Sequence, residues 1–220
     1  MRAVLLDFNG TLFNDTRFHM QAWRRFIAES LGLTLTDDEI RRRCIGPGNA
    51  DIFRELFNSP LSPADIIELG ERKEELYRAA VRANPQNKAL KRGVPQFLDL
   101  MKARGVPCVL ATASPLSNVR FYLDELGLDR WFTFDTIVYD DGSIPAKPDP
   151  AFYLEAARRA GVSPADCLIA EDSPTGIRAA LASGAGRVVV LEGTAPGNVI
   201  AGFPGIFATA ADFTSFERFL

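Results

Sequence analysis

Short apolar runs of strand length alternate with helix-period segments along most of this 220-residue chain. The apolar runs cover residues 3–6, 107–111, 132–138, 166–170 and 187–191. The helical segments between them cover residues 95–104, 115–126, 151–160 and 174–182. Runs this short and this apolar are typical of strands buried on both faces. The alternation therefore predicts an α/β fold with a doubly wound parallel sheet.

One stretch, residues 15–85, breaks this alternation because it carries helical patterns and no strand pattern. The predicted helices cover residues 17–31, 37–44, 50–57 and 63–82. We therefore predict a helical cap domain over 15–85, inserted after the first strand. Residues 1–14 and 86–220 would form a Rossmann-like α/β core that carries the catalytic site.

Charge and cysteine content exclude several classes of partner. The formal net charge is only −3, which gives no basic footprint for nucleic acid. No apolar run approaches the roughly 20 residues that a membrane helix needs. The three cysteines are scattered, as is usual for reduced thiols in the cytoplasm. We expect a cytoplasmic monomer or weak dimer that binds neither nucleic acid nor membranes.

Polar side chains follow the predicted strands at the edge where such sheets bind ligands. Asp7 follows the first strand, Thr112 the second, and Glu171 and Asp172 a later one, while Lys147 lies between. Each residue alone has an ordinary explanation as a cap, a turn hydroxyl or a solvated cation. Together they bring three carboxylates, a hydroxyl and an ammonium group to one edge, and hard oxygen ligands suit Mg²⁺.

These residues also resemble a known family. The stretch Asp7-Phe8-Asn9-Gly10-Thr11-Leu12 is similar to the DxDGT[LV] signature of haloacid dehalogenase-like hydrolases. The three later motifs of that family resemble, in order, Thr112, Lys147-Pro148, and Glu171-Asp172 with Gly176. A helical cap after the first motif is similar to the beta-phosphoglucomutase-like branch.

The resemblance implies a role for each residue. Asp7 would attack phosphorus and form an aspartyl-phosphate. Mg²⁺ would bind the Asp7 carboxylate, the backbone carbonyl of Asn9 and Asp172, with Glu171 in support. The phosphate-binding groups would be Gly10, Thr112, the Ala113 amide at a predicted helix start, and Lys147. The partner would be a small phosphorylated metabolite.

Asn9 departs from the family pattern, which has an acid–base Asp at this position. An amide cannot exchange a proton at neutral pH, and losing acid–base help typically costs about 10²–10⁴ in rate. Four explanations stay open: a natural, slow or specialised phosphatase; an engineered substitution; proton transfer by His19 or Asp15; and deamidation at Asn9-Gly10. The first is favoured.

The cap supplies a second tier of candidates. In the resembling branch, residues matching His19 and Lys73 position the acid–base residue. The loop at 44–49, which contains Gly46 and Asn49, would select the substrate. Mutases of this branch carry basic residues there, whereas this chain has Ile45 and Asn49. The loop therefore favours a phosphatase over a mutase.

The sequence thus predicts a phosphatase that acts on a small phosphate ester or anhydride. A beta-phosphoglucomutase-like mutase is the alternative enzyme. Carbon–halogen cleavage is less compatible with the predicted Mg²⁺ site. Carbon–phosphorus cleavage through Lys73 is less compatible with the second position of the signature, Asn9, which is not a small residue. An alternative of another class is a catalytically impaired module that binds phosphorylated metabolites.

Overall fold

A computed structural model of the chain describes residues 1–46, 48–57, 59–192, 200 and 202–220. The chain divides into two compact units. The first, called the core unit below, comprises Met1–Asn14 and Ala89–Leu220, and the second, the helical unit, comprises Asp15–Lys88. The sequence pattern placed the second boundary after residue 85.

The core unit is built on one six-stranded sheet in which every strand pairing is parallel. Its strands are β1 (Ala3–Leu6), β2 (Cys108–Pro115), β3 (Ile137–Asp140), β4 (Cys167–Glu171), β5 (Arg187–Leu191) and β6 (Ala208–Ala210). Their order across the sheet is β3-β2-β1-β4-β5-β6. The helices of this unit are α5 (Val94–Ala103), α6 (Leu116–Leu126), α7 (Ala151–Ala160) and α8 (Pro174–Ala182). The predicted parallel α/β fold is confirmed.

The central strands β1 and β4 are buried along their whole length. β1 lies between β2 and β4, and its side chains are buried on both faces of the sheet. Burying a Val, Leu or Ile side chain stabilises a fold by about 1.5–3 kcal/mol. The sheet is therefore a rigid support for the polar residues that follow its strands.

Two local predictions were wrong, and one strand was missed. The run at 132–138 yields a strand only from Ile137, because Phe134–Thr136 forms a 3₁₀ turn that Thr133 and Thr136 cap. A serine before a proline, as at Ser163-Pro164, predicts the start of a helix, but here the pair begins the 3₁₀ turn Pro164–Asp166 ahead of β4. The short edge strand β6 was not predicted, because its Ala-Thr-Ala sequence forms no apolar run.

The helical unit contains α1 (Thr16–Leu31), α2 (Asp37–Cys44), α3 (Asn49–Leu56) and α4 (Pro63–Arg82). Capping boxes start α2 at Thr36 and α4 at Ser62. Its core is aromatic: Trp23, Phe26 and Phe53 pack with ring centroids 5.4–5.7 Å apart. Within the described ranges, no helix of either unit is long and apolar enough to cross a membrane.

Candidate active site

Polar residues from three neighbouring strands meet at the carboxyl edge of the core sheet. Asp7 follows β1 directly, and its amide donates to the Ala170 carbonyl of β4 at 3.1 Å. Thr112 belongs to β2, and Glu171 and Asp172 come at the end of β4. All four side chains are buried, so each must be paired to remain there.

Lys147 joins two of these carboxylates. Its Nζ donates to Asp7 Oδ1 at 2.7 Å and to Glu171 Oε1 at 2.8 Å, while its side chain is only 7% exposed. The Ala111 carbonyl and the Tyr153 hydroxyl also lie 3.1 Å from Nζ. Burial lowers the pKa of Lys147, but Asp7 and Glu171 outweigh burial and raise that pKa overall. The ammonium group is therefore charged at any physiological pH.

The carboxylates of Asp7, Glu171 and Asp172 form one compact acidic cluster. One oxygen of each lies within 4.8 Å of the others. Burial raises the pKa of Asp7 well above its usual value, and Glu171 and Asp172 add to that rise while Lys147 opposes it. Three carboxylates against one ammonium leave two negative charges, which one divalent cation would balance. The donor set fits a hard ion such as Mg²⁺.

Glu171 is tied by hydrogen bonds on both carboxylate oxygens. Its Oε2 accepts from the backbone amides of Asp172 and Ser173 at 2.6 and 2.8 Å. Its Oε1 accepts from Lys147 and, at 3.1 Å, from the buried Tyr153 hydroxyl. Through these bonds Glu171 holds the Lys147 ammonium group and the Asp172 backbone in position. The sequence pattern missed Tyr153, which no motif marks and which reaches this cluster from α7.

Two glycines are required by the space around the carboxylates. A Cβ on Gly10, whose φ is +80°, would lie 2.2 Å from Asp172 Oδ2. A Cβ on Gly176, in the first turn of α8, would lie 1.6 Å from Glu171 Oε1. Asp172 is held on its other oxygen by the Thr11 hydroxyl, which donates to Oδ1 at 3.0 Å. Neither carboxylate can withdraw easily from an added methyl group.

Gly10→Ala should lower the free energy of unfolding by about 2–4 kcal/mol, since left-handed backbone and a forced core contact each cost about 1–2 kcal/mol. Urea unfolding measures the loss. Gly105→Ala is the matched control, because Gly105 also has positive φ (+65°) but has nothing within 4 Å of its Cβ position. Equal losses in the two variants would show that the contact with Asp172 costs nothing.

Strand β2 is irregular where it passes the cluster. Its pairing with β3 shifts between Ala111 and Pro115, so the residues between them leave the regular ladder. Thr112 is fully buried there, whereas Ala113 is exposed. The prediction that the Ala113 amide lies at a helix start was wrong, because β2 continues to Pro115 and α6 begins at Leu116.

The side chain of Asn9 is held by three hydroxyl groups. Ser114 Oγ and Thr112 Oγ1 donate to its Oδ1 at 2.9 and 3.3 Å. Its Nδ2 donates to the Tyr122 hydroxyl at 3.1 Å, and Tyr122 and Ser114 share a further bond of 2.9 Å. A serine before a proline, as at Ser114-Pro115, predicts a helix cap, but the Ser114 hydroxyl donates to Asn9 and does not cap α6. Tyr122 lies 113 residues away in sequence, and no sequence signal pointed to it.

Comparison with known proteins identifies the family. The sequence model of haloacid dehalogenase-like hydrolases matches residues 1–184. The chain belongs to this family. The predicted family and the predicted assignment to a hydrolytic enzyme are confirmed.

Similar proteins span nearly the whole length of this haloacid dehalogenase-like hydrolase. It is 30% identical over 193 residues to the phosphorylated carbohydrates phosphatase of Thermotoga maritima, covering 86% of this chain and 84% of the relative. It is 28% identical over 199 residues to the beta-phosphoglucomutase of Bacillus subtilis, covering 88% and 84%. The crystal structure of a family IA, variant 3 hydrolase from Entamoeba histolytica matches with TM-score 0.89 and 30% identity, covering 97% and 94%.

The helical unit of this haloacid dehalogenase-like hydrolase contains its own buried polar chain. Lys73 Nζ lies 3.0 Å from His19 Nδ1 and donates to Glu74 Oε1 at 2.8 Å. His19 Nε2 faces Asp15 at 3.5 Å, and the Tyr77 hydroxyl donates to Asp15 at 2.8 Å. An ammonium group can only donate, so His19 Nδ1 accepts and Nε2 carries the hydrogen. The predicted second-tier pair, His19 and Lys73, is thus in direct contact.

The predicted substrate-selecting loop is only partly described. Gly46 is exposed with φ +111°, and Pro47 lies outside the described residues. Asn49 starts α3, and its Nδ2 donates to Glu74 Oε1 at 2.8 Å. Arg43, in the last turn of α2, pairs with Glu55. Asn49 is therefore tied to the buried polar chain through Glu74, a residue that the sequence pattern missed.

Glu74→Gln should cost about 3 kcal/mol of unfolding free energy at neutral pH. Burial raises the pKa of Glu74, but Lys73, His19 and Asn49 outweigh burial and bring it from 4.5 to about 2. A lowered carboxyl pKa gives stability that is complete above pH 4.5 and is lost as the pH falls towards 2. Urea unfolding across this window should show a smaller pH slope for the variant.

The matched control for Glu74 is Glu68→Gln, an exposed position on the same helix, α4. This variant should keep both the stability and the pH slope of the parent protein. Parallel pH curves for Glu74→Gln and the parent would contradict the ion pair between Glu74 and Lys73.

Proposed function

We propose that this protein is a Mg²⁺-dependent phosphatase that hydrolyses a small phosphorylated metabolite through an aspartyl-phosphate on Asp7. The observation that carries the proposal is the buried Asp7 carboxylate, which is held by Lys147 beside Asp172 at the carboxyl edge of the sheet. The relative from Thermotoga maritima is named a phosphorylated carbohydrates phosphatase, which supports the same reaction class. The cytoplasmic location and the monomeric or weakly dimeric state stay predictions.

The chain's own residues would divide the reaction between them. Asp7 would attack phosphorus through Oδ2, because its Oδ1 accepts a hydrogen bond from Lys147 Nζ, which would hold Oδ1 in place. Mg²⁺, held by Asp7, Asp172 and the Asn9 carbonyl, would offset the negative charge between the nucleophile and the phosphoryl group. Thr112 and the Ala113 amide would hold phosphoryl oxygens, and Gly10 would leave room for them.

Glu171 and Tyr153 would act through Lys147 and Asp172 instead of touching the substrate. Their hydrogen bonds fix the ammonium group against Asp7. Such fixed charges stabilise a developing charge without rearranging during the reaction. Lys73 and His19 are proposed positioning residues of the helical unit, and Gly46 and Asn49 are proposed substrate-selecting ones.

A mutase is the second candidate, because the chain is also similar to the beta-phosphoglucomutase of Bacillus subtilis. A mutase that cycles a bisphosphate needs a cation for the second phosphate. Ile45 and Asn49 are neutral, Asn49 is already bonded to Glu74, and Arg43 is paired with Glu55. These contacts favour hydrolysis over phosphoryl exchange. A binding module without catalysis would have no use for Asp7 and Lys147 in direct contact.

The test is phosphate release from a panel of phosphorylated metabolites, with Mg²⁺ and with excess chelator. We expect release with Mg²⁺ only, together with a protein species that gains the mass of one phosphoryl group after acid quenching. Peptide mapping should place that group on Asp7. Conversion of a sugar 1-phosphate to its 6-phosphate without phosphate release would support the mutase instead. Metabolite binding without either reaction would support the module.

A further inference from the structure

The hydrogen bonds around Asn9 form a closed ring that only one order of protons satisfies. Ser114 donates to Asn9 Oδ1, so its oxygen must accept the bond that it shares with Tyr122. Tyr122 therefore donates to Ser114 and accepts from Asn9 Nδ2. Each member of the ring donates once and accepts once. Ser114 is 7% exposed and Tyr122 is fully buried.

In the ring, the side chain of residue 9 both donates and accepts, as an amide can. A carboxylate can only accept. With a carboxylate at residue 9, Tyr122 would have to donate to residue 9 and Ser114 to Tyr122, so the order of protons in the ring would reverse. The order of protons described above is therefore the one that an asparagine at residue 9 sets.

The groups that hold Asn9 do not replace the missing acid. Thr112, Ser114 and Tyr122 offer only hydroxyl groups, and none of them is a carboxyl or imidazole group of the kind that usually acts as a general acid. General acid catalysis at neutral pH needs a group whose pKa lies near 7. A leaving oxygen that must be protonated as it departs therefore gains little help from this part of the site.

We propose that Ser114 and Tyr122 are positioning residues that hold the Asn9 amide in place, and that the site acts on phosphoryl donors with stable anionic leaving groups because residue 9 supplies no proton. These donors are acyl phosphates, phosphate anhydrides, and aryl or enol phosphates. The inference rests on the proposed function, because it names the substrate class of the same Asp7 site.

The proposed steps balance without a proton from residue 9. A carboxylate oxygen of Asp7 forms a bond to phosphorus while the bond to the leaving oxygen breaks, and the electron pair leaves with a carboxylate, phenolate or phosphate anion. Water then attacks phosphorus, the Asp7–phosphorus bond breaks, and its electrons return to the Asp7 carboxylate. Both hydrogens of the water end on the product, dihydrogen phosphate.

The experiment measures kcat/KM for acetyl phosphate, p-nitrophenyl phosphate, phenyl phosphate and glycerol phosphate. For the parent protein we expect a steep fall as the pKa of the leaving group rises. Asn9→Asp, which restores a proton carrier, should raise the rate with glycerol phosphate by about 10²–10⁴-fold and flatten the slope. The gain in kcat/KM with acetyl phosphate should be smaller, because that leaving group needs no proton.

Tyr122→Phe tests the positioning role, since it removes one hydroxyl and keeps the ring in place. Loss of orientation should lower kcat for acetyl phosphate by about tenfold with little change in KM. Tyr139→Phe is the matched control, because Tyr139 is half-buried on β3 and takes no part in the ring. Ser114→Thr keeps a hydroxyl and should retain more activity than Ser114→Ala. Thermal unfolding of each variant checks that the fold is intact.

The outcomes separate the two proposals. Equal rates for acetyl phosphate and glycerol phosphate in the parent protein would overturn the substrate class and leave the phosphatase standing. A folded Tyr122→Phe protein with unchanged kcat would overturn the positioning role. Failure to hydrolyse any of the four compounds, with no phosphoenzyme formed from acetyl phosphate, would overturn the proposed function itself.

Discussion

Asp7→Asn should abolish phosphate release, with kcat falling by about 10⁴-fold or more. The variant keeps the size of the side chain but removes the nucleophilic carboxylate that Lys147 holds. No phosphoenzyme should form when the protein is quenched in acid during turnover. Phosphate release and intact-protein mass spectrometry measure the two effects.

The stability of Asp7→Asn separates catalysis from folding. Burial and the neighbouring carboxylates raise the pKa of Asp7, so its ionisation opposes folding at neutral pH. The variant should therefore unfold at the same or higher urea concentration than the parent when chelator is present. Asp124→Asn, at an exposed position on α6, is the control and should keep full activity. Substantial turnover by a folded Asp7→Asn protein would exclude Asp7 as the nucleophile.

Lys147→Met should lower the free energy of unfolding by about 3–5 kcal/mol, the usual cost of removing one partner from a buried ion pair. Asp7 and Glu171 would lose the ammonium group that now lies 2.7 and 2.8 Å from them. Methionine has a similar length, so the loss reports the missing charge more than a cavity. Urea unfolding in the presence of chelator measures it.

The comparison for Lys147 is Lys102→Met, because Lys102 is exposed and donates to a backbone carbonyl, that of Arg130. This variant should change the free energy of unfolding by less than about 0.5 kcal/mol. Adding Glu171→Gln to Lys147→Met should recover part of the lost stability, since it removes one of the unpaired charges. A loss below about 1 kcal/mol in Lys147→Met would show that the carboxylates do not depend on Lys147.

Much of the core fold was readable from the sequence because β1, β4 and β5 are buried on both faces. Such strands appear as unbroken apolar runs, and the polar residue that ends each run marks the edge of the sheet. The structure brings Asp7, Lys147, Glu171 and Asp172 together at that edge, while their catalytic roles stay predictions. Strand ends were harder to place: β2 runs four residues past its predicted end, through the irregular stretch after Ala111.

The residues that sequence reasoning missed are those whose partners are distant in the chain. Tyr122 meets Asn9 across 113 residues, and Tyr153 meets Glu171 across 18. Each tyrosine lies on the buried face of a helix. An aromatic ring is expected at such a position, so the sequence gives no sign that the hydroxyl group has a role. Glu74 is one more charge in the pattern of a surface helix, and its partner Asn49 lies 25 residues away in sequence. Side-chain partners of this kind are fixed by tertiary packing and leave no local trace.

The division of the core unit into two chain segments has a consequence for how the protein is made. β1 is synthesised first, but Val4 pairs with Cys108 on one side and Leu168 on the other. The strand therefore remains without β2 until the ribosome has completed the whole helical unit, and without β4 until most of the remaining chain has been made. Long-range parallel pairing of this kind is slow and leaves an apolar segment open to aggregation. We expect the nascent chain to need chaperone protection of residues 3–6 until β4 has emerged.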